Sequence, residues 1–522
     1  MSIFRVANIP ENFNFENVLQ INFRSFRDGK SFMKKLHNLD YSKFINCHTM
    51  DCSNNSLINL KELGYNNFKN LYCKFNQLNS LEGLSGCVFL KKLICSSNNL
   101  INFHELSNCI YIQEIECNNN QLITLEGISN CSLLKILYIN HNKLLNLEYI
   151  QSCNSLEELY CGNNQLITIK NLSNCKILKV LRCNNNKLEN LEGISCKETL
   201  TYLDCSNNNI NNLEHISNCR FLTYLNCSNN NINNLEHISN CKFLTYLDCS
   251  NNKIENLNYL TECKNLSTLD CSNNFLENLK FLSECYKLEH LKCSNNKIKD
   301  ITEISDCTNL KFLYCDNNKL DNLECISKSG KIEILDCSYN KLQNLNSLAD
   351  KPSLKKLICN NNLLTDLDSL CIFFPSDKPE LVYMRNSSSE WSFQNYKKKS
   401  VLEYLKCNDN LLTNLDSLKK CKKLKFLFCY NNKISFIPIY KNIQTLICNN
   451  NLIEKFDTGT YKKLNYLDCS NNQLSDINIK IDANYIDINC SFNKLKNVNN
   501  LLKLNGLQVL RCSNNYITGC PQ

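Results

Sequence analysis

Glycine and proline are scarce: 11 Gly and 6 Pro in 522 residues. That scarcity excludes collagen-like chains and folds built on glycine-rich loops. There is a single Trp. No apolar run is long enough to span a bilayer as a helix. The first ten residues, MSIFRVANIP, lack the basic start and apolar stretch of a secretory signal. No Cys-x-x-Cys, His-Glu-x-x-His or Gly-x-Ser-x-Gly occurs. Gly29-Lys30-Ser31 ends like a phosphate-binding loop, but Arg24 stands where its first Gly is required. These absences predict no catalytic residues, no cofactor and no metal. They also predict a protein of the cell interior, in the cytoplasm, where thiols stay reduced.

Two residue types are in excess. Asn occurs 92 times and Cys 36 times. The formal charge of +8 is modest and does not by itself imply nucleic acid. A hydrophobic fraction of 43% suffices for a core.

The excess comes from one repeated motif. Residues 201–219 read TYLDCSNNNINNLEHISNC, and 223–241 read TYLNCSNNNINNLEHISNC. The pattern is LxxLxCxxNxLxxLxxLxxCxx, with Ile in place of Leu in many copies. From Leu71 to Leu357 its second Leu recurs every 22 residues. It continues from Leu405 to Leu510 at intervals of 19 to 22. A degenerate copy, Leu381 to Asn386, falls in the gap between and brings the expected number of coils to about 22.

This pattern resembles the leucine-rich repeats, in the 22-residue class of the internalins. The Asn- and Cys-rich composition is also similar to leucine-rich-repeat proteins of giant DNA viruses. The resemblance covers about residues 48–517. It implies a right-handed α/β-type solenoid with a parallel β-sheet on its concave side, 3₁₀ or extended turns on its convex side, and a non-catalytic, protein-binding role. The corresponding division is a non-repetitive cap over 1–47, regular repeats over 48–370, a degenerate repeat with an insertion over 371–400, and partly shortened repeats over 401–522.

Within a coil, Leu225 and Cys227 are two apart and share the inward face of a strand. Asn226 and Ser228 then face outward. The Asn three residues after the strand Cys (Asn208, Asn230, Asn252, Asn274 and Asn296 in successive coils) is expected to be buried and to satisfy backbone groups of its own coil and the next. Its neighbours Asn207 and Asn229 read as tolerant outward positions. Ile232, Leu235 and Ile238 recur every three residues, which suits 3₁₀ turns. Twenty strand cysteines and eleven in a second column, Cys87 to Cys421, read as small buried hydrophobes. Cys47, Cys325, Cys371 and Cys520 lie off both columns and are expected to be the reactive ones.

The outward strand positions are where a partner could dock. Tyr202, Tyr224 and Tyr246 form one column, and Asp204, Asp248 and Asp270 stand in the next. Aromatic residues anchor interfaces, and the carboxylates favour a basic partner. A second candidate is the break near 371–400, with Trp391, Pro375, Pro379 and Lys397 to Lys399. An alternative is an adaptor acting through residues 1–47. There, Ile9-Pro10-Glu11 followed by Val18-Leu19 resembles the start of a ubiquitin-ligase F-box, whose remaining pattern is missing. A nucleic-acid reading rests only on Lys419, Lys420, Lys422, Lys423 and Lys425. No membrane partner is expected.

Overall fold

A computed structural model describes residues 3–5, 20–22, 46–61, 68–196, 198–371, 400–457 and 459–518. The chain divides into two compact units. The first comprises 1–254 and 258–266, and the second 255–257 and 267–522.

Each unit is a leucine-rich-repeat solenoid built on a parallel ladder of short strands. In the first unit the ladder runs through one three-residue strand per coil, from Thr49–Asp51 to Tyr246–Asp248. Each strand shows a buried residue between two half-buried or exposed ones. The middle residues stack in strict register: Leu181, Leu203, Leu225 and Leu247 are successive partners. Two further rungs precede Thr49–Asp51, at Ile3–Arg5 and Gln20–Asn22, within the segment read from sequence as non-repetitive.

In the second unit the ladder runs from Thr268–Asp270 to Leu507–Arg511. Lys356–Ile358 pairs directly with Tyr404–Lys406, with Leu357 opposite Leu405. The ladder Asn410 donates to the Cys359 carbonyl across the same step (3.0 Å). The degenerate copy expected at Leu381 to Asn386 lies outside the described residues.

The buried Asn column holds the coils together. Asn230 Nδ2 donates to the carbonyls of Cys227 (3.0 Å), Ser228 (3.1 Å) and Cys205 (3.1 Å), and its Oδ1 accepts from the Ile210 N–H (2.9 Å). Asn208 and Asn252 repeat the arrangement. Asn296, in the second unit, does the same toward Cys271 and Leu276, while Asn274 donates to Cys271 and Ser272. The partners thus lie in the same coil and the preceding one, not the next. The chain turns so that each Asn reaches back over the coil already laid down.

A second correction explains the scarcity of glycine. The residue before every ladder Asn has φ between 51° and 58°, the left-handed region. Asn207 and Asn229 occupy it at 54°. Glycine is the usual resident there, and Asn is the side chain that tolerates it best. Asn207 and Asn229 are therefore demanded by the backbone. Phe75, Tyr339 and Phe492 hold the same conformation without that tolerance.

Ser228 does not face outward as its place in the pattern suggested; Ser206, Ser228 and Ser250 are buried. A third Asn position opens the following turn. Asn212 and Asn234 Oδ1 accept from the N–H of Glu214 (3.0 Å) and Glu236 (3.1 Å). The 3₁₀ turns Glu214–Ile216 and Glu236–Ile238 begin at those residues, as the period of three suggested.

Both cysteine columns are buried except at Cys512, which is half-buried, and the described cysteines are free thiols. In the second column, Cys109 Sγ lies 3.6 Å from the Cys87 carbonyl and Cys241 Sγ 3.5 Å from that of Cys219. A thiol here fills the volume of a small hydrophobe while offering a weak donor to the coil before it. Burial pushes Cys52, Cys109 and Cys131 up to about 12, so the reactive thiolate is suppressed. Cys47 and Cys325, expected to be reactive, are buried too, at 1% and 5% exposure. The Cys371 side chain and Cys520 lie outside the described residues.

Candidate functional site

The outward face of the strands in the first unit carries a continuous run of rings. Tyr202, Tyr224 and Tyr246 occupy the same position on successive strands, so parallel register sets their rings side by side. Ring centroids are 4.1 Å and 4.3 Å apart with 4° between planes. The Arg182 guanidinium lies over the Tyr202 ring at 4.7 Å and over the Tyr160 ring at 5.6 Å. Tyr138 and Tyr160 stack at 4.4 Å. Six consecutive coils, from Tyr138 to Tyr246, thus share one ridge of tyrosine and guanidinium.

Stacking decides how that ridge can be used. The ring faces cover one another, so a partner meets ring edges and hydroxyls. Burial raises the Tyr202 and Tyr224 hydroxyls above the usual tyrosine range, keeping them protonated.

The carboxylates beside the ridge are fixed in place. Asp204 Oδ1 accepts from the Ser206 N–H (3.2 Å) and hydroxyl (2.7 Å). Asp248 does the same with Ser250 (3.0 and 2.6 Å). Asn226, on the strand between, makes identical bonds to Ser228 (3.0 and 2.7 Å). The Asp column thus has a local structural role, closing the end of the strand, that the sequence pattern did not reveal. Asp or Asn followed two residues later by Ser was the available signal.

Of the residues picked out from sequence, Tyr202, Asp204, Tyr224, Tyr246 and Asp248 come together on the first unit. Asp270 belongs to the second unit, where its carboxylate meets the Lys292 ammonium at 3.1 Å. Trp391, Pro375, Pro379 and Lys397 to Lys399 lie outside the described residues, as do Ile9 to Glu11 and Val18-Leu19. Sequence reading missed Tyr138 and Glu158 as parts of the same surface. Tyr160 donates its hydroxyl to Glu158 at 2.8 Å.

The lysine patch is smaller than its sequence suggests. Lys419 pairs with Asp416 (2.8 Å) and Lys425 with Glu403 (2.7 Å), leaving Lys420, Lys422 and Lys423 exposed. Among the described residues no cluster of three or more His, Cys, Asp or Glu could hold a metal ion. No helix among them is long and apolar enough to cross a membrane.

The family model for leucine-rich repeats in two copies matches residues 242–284 and 286–328. The chain is built of leucine-rich repeats. Its fold is similar to that of the plant peptide hormone receptor RGFR1, solved in complex with RGF2: TM-score 0.68, 20% identity, 96% of this chain and 87% of that one. It is also similar to a leucine-rich-repeat protein of Leptospira interrogans, with TM-score 0.57, 20% identity, and 82% and 94% of the two chains. The functional domain of InlJ from Listeria monocytogenes, described as including a cysteine ladder, matches at TM-score 0.58 and 26% identity, over 72% of this chain and 75% of that one. No curated protein matches the sequence. The leucine-rich repeats of this chain share with InlJ a stacking of cysteine from coil to coil.

Proposed function

We propose that this leucine-rich-repeat protein is a non-catalytic scaffold that binds a protein partner on the strand face of its first unit. The observation that carries the reading is the six-coil ridge from Tyr138 to Tyr246 beside fixed carboxylates. Large, rigid side chains with polar tips are what interface hot spots are made of. The fold supports it: the receptor of similar fold was solved with a peptide hormone bound. The same proposal places the protein in a reducing compartment of the cell, supported by the free thiols of its core.

The test is crosslinking capture from the native cell with the intact chain and with Tyr224→Ala/Asp248→Lys. The partner recovered with the intact chain is lost with the double variant. Undiminished capture contradicts the reading. The adaptor alternative rests on residues 1–47, in which the described strands at 3–5 and 20–22 pair with the ladder.

A further inference from the structure

Charge on the strand face of the first unit runs against that of the whole chain. The outward positions from Thr49–Asp51 to Tyr246–Asp248 carry six carboxylates and only two bases, Lys92 and Arg182, in a protein of net charge +8. Lys92 is already paired with Glu114 at 2.8 Å, and Arg182 lies against the tyrosine ridge. The surface therefore fits a cationic partner.

Four of the six carboxylates are also regularly spaced along the ladder. Glu116, Glu158, Asp204 and Asp248 stand on every second rung, Glu158 at the first position of its strand and the other three at the third. The rungs between them, Ile136–Tyr138, Val180–Arg182 and Tyr224–Asn226, have none. Adjacent strands lie about 4.8 Å apart at the backbone, and stacked rings on this face are 4.1 to 4.4 Å apart, so two rungs give a repeat of about 8 to 9.6 Å.

That length discriminates between backbone conformations. An extended strand returns to the same face every ~6.7 Å, too short. An α-helix needs two turns, about 10.8 Å, and falls out of step by more than 3 Å over three intervals. A polyproline II helix has three residues per turn at a rise of about 3.1 Å, a repeat of roughly 9.3 Å. That repeat falls within the range set by the rungs. Aromatic surfaces are also what such helices dock on.

From this match we infer that the strand face of the first unit binds a basic polyproline II segment, with Lys or Arg at every third residue, lying across the strands along the tyrosine ridge. The cations meet the carboxylates of alternate rungs, and the proline rings rest on the tyrosine edges between them. Asp204 and Asp248 are held by their serines and Glu158 by Tyr160, so little ordering is needed on the protein side. This inference rests on the reading of that face as the docking site.

The experiment uses the full chain and fluorescein-labelled peptides, read by fluorescence anisotropy at low salt. (Arg-Pro-Pro)4 is compared with (Arg-Gly-Gly)4, which keeps the charge and sequence spacing but not the helix. Asp204→Asn/Asp248→Asn is the informative variant, because Asn226 shows that Asn makes the same bonds to Ser228 and the fold is retained. The expected result is binding of the proline peptide at least tenfold tighter than the glycine peptide, weakened at least tenfold by the double variant. Equal binding of both peptides, still weakened by the variant, overturns the polyproline inference and leaves the face as the docking site. Binding unaffected by the variant and by Tyr224→Ala overturns both readings. Absence of binding by either peptide overturns the inference, and partner capture then decides the face separately.

Discussion

The two units share one scaffold and differ in what they do with their outward charges. In the second unit the strand face is balanced. Asp270, Asp336, Asp468 and Asp487 stand against Lys292, Lys356, Lys406 and Arg511. Opposite charges also meet within the ladder. Lys311 pairs with Glu289 (2.8 Å), Lys355 with Glu333 (2.7 Å), Lys425 with Glu403 (2.7 Å) and Arg511 with Asp487 (2.6 Å). The first unit has such pairs too, Lys92 with Glu114 (2.8 Å) and Lys179 with Glu157 (2.6 Å). Serine hydroxyls hold strand carboxylates in both units, at Asp204 and Asp248 in the first and at Asp336 and Asp468 in the second. The Leu, Cys and Asn columns recur in both units. The scaffold is thus indifferent to the outward residues, and what distinguishes the two faces is the balance of outward strand charge, six carboxylates to two bases in the first and four to four in the second.

The largest expected effect strikes both units alike. A buried thiol held up near 12 is neutral in the fold, while an unfolded one ionises near 9. Its contribution is complete below pH 9 and is lost as the pH rises above it. The loss is about 1.4 kcal/mol per thiol for each pH unit. Summed over two columns, this predicts cooperative loss of the strand signal in circular dichroism between pH 9 and 11. A spectrum unchanged at pH 11 contradicts the buried-thiol core.

Next comes the Asn column. Asn230→Ala in the first unit and Asn318→Ala in the second each remove an amide that bridges two coils, buried at Asn230 and half-buried at Asn318. Each is expected to cost about 1–3 kcal/mol in denaturant unfolding. A large effect in one unit and none in the other breaks the claim of a common scaffold.

Smaller effects follow at the left-handed position. Asn229→Ala should cost about 1 kcal/mol, Asn229→Gly much less, and Phe75→Asn should stabilise by a similar amount. Equal destabilisation by Ala and Gly argues against backbone conformation as the reason for Asn there. Least of all, Lys311→Ala should cost under about 1 kcal/mol, since exposed pairs contribute little.

Much of this was legible in the sequence because the repeat is strict. A Leu every 22 residues, with Cys two later and Asn three after that, fixes the strand, its inward face and the buried amide. The left-handed Asn was not legible as such. Asn207 carries no pattern beyond being Asn, and its demand lies in a backbone angle. The serines were misread because alternation along a strand places Ser228 outward, whereas the strand ends at Asn226 and the chain turns it inside. The copy expected at Leu381 to Asn386 falls outside the described residues. At the candidate site the tyrosine column was visible, but Arg182, which joins it to Tyr160, depends on a diagonal contact between columns.

The central claim is that the strand face of the first unit, and not that of the second, is the docking surface. Site-specific photocrosslinking tests it most directly, with a benzoylphenylalanine placed at Tyr224 or, separately, at Tyr314, an outward tyrosine of the second unit. The account predicts one discrete protein adduct from position 224, absent from position 314 and abolished by Asp204→Asn/Asp248→Asn. Adducts from position 314 alone, or adducts from both that survive the double substitution, contradict it.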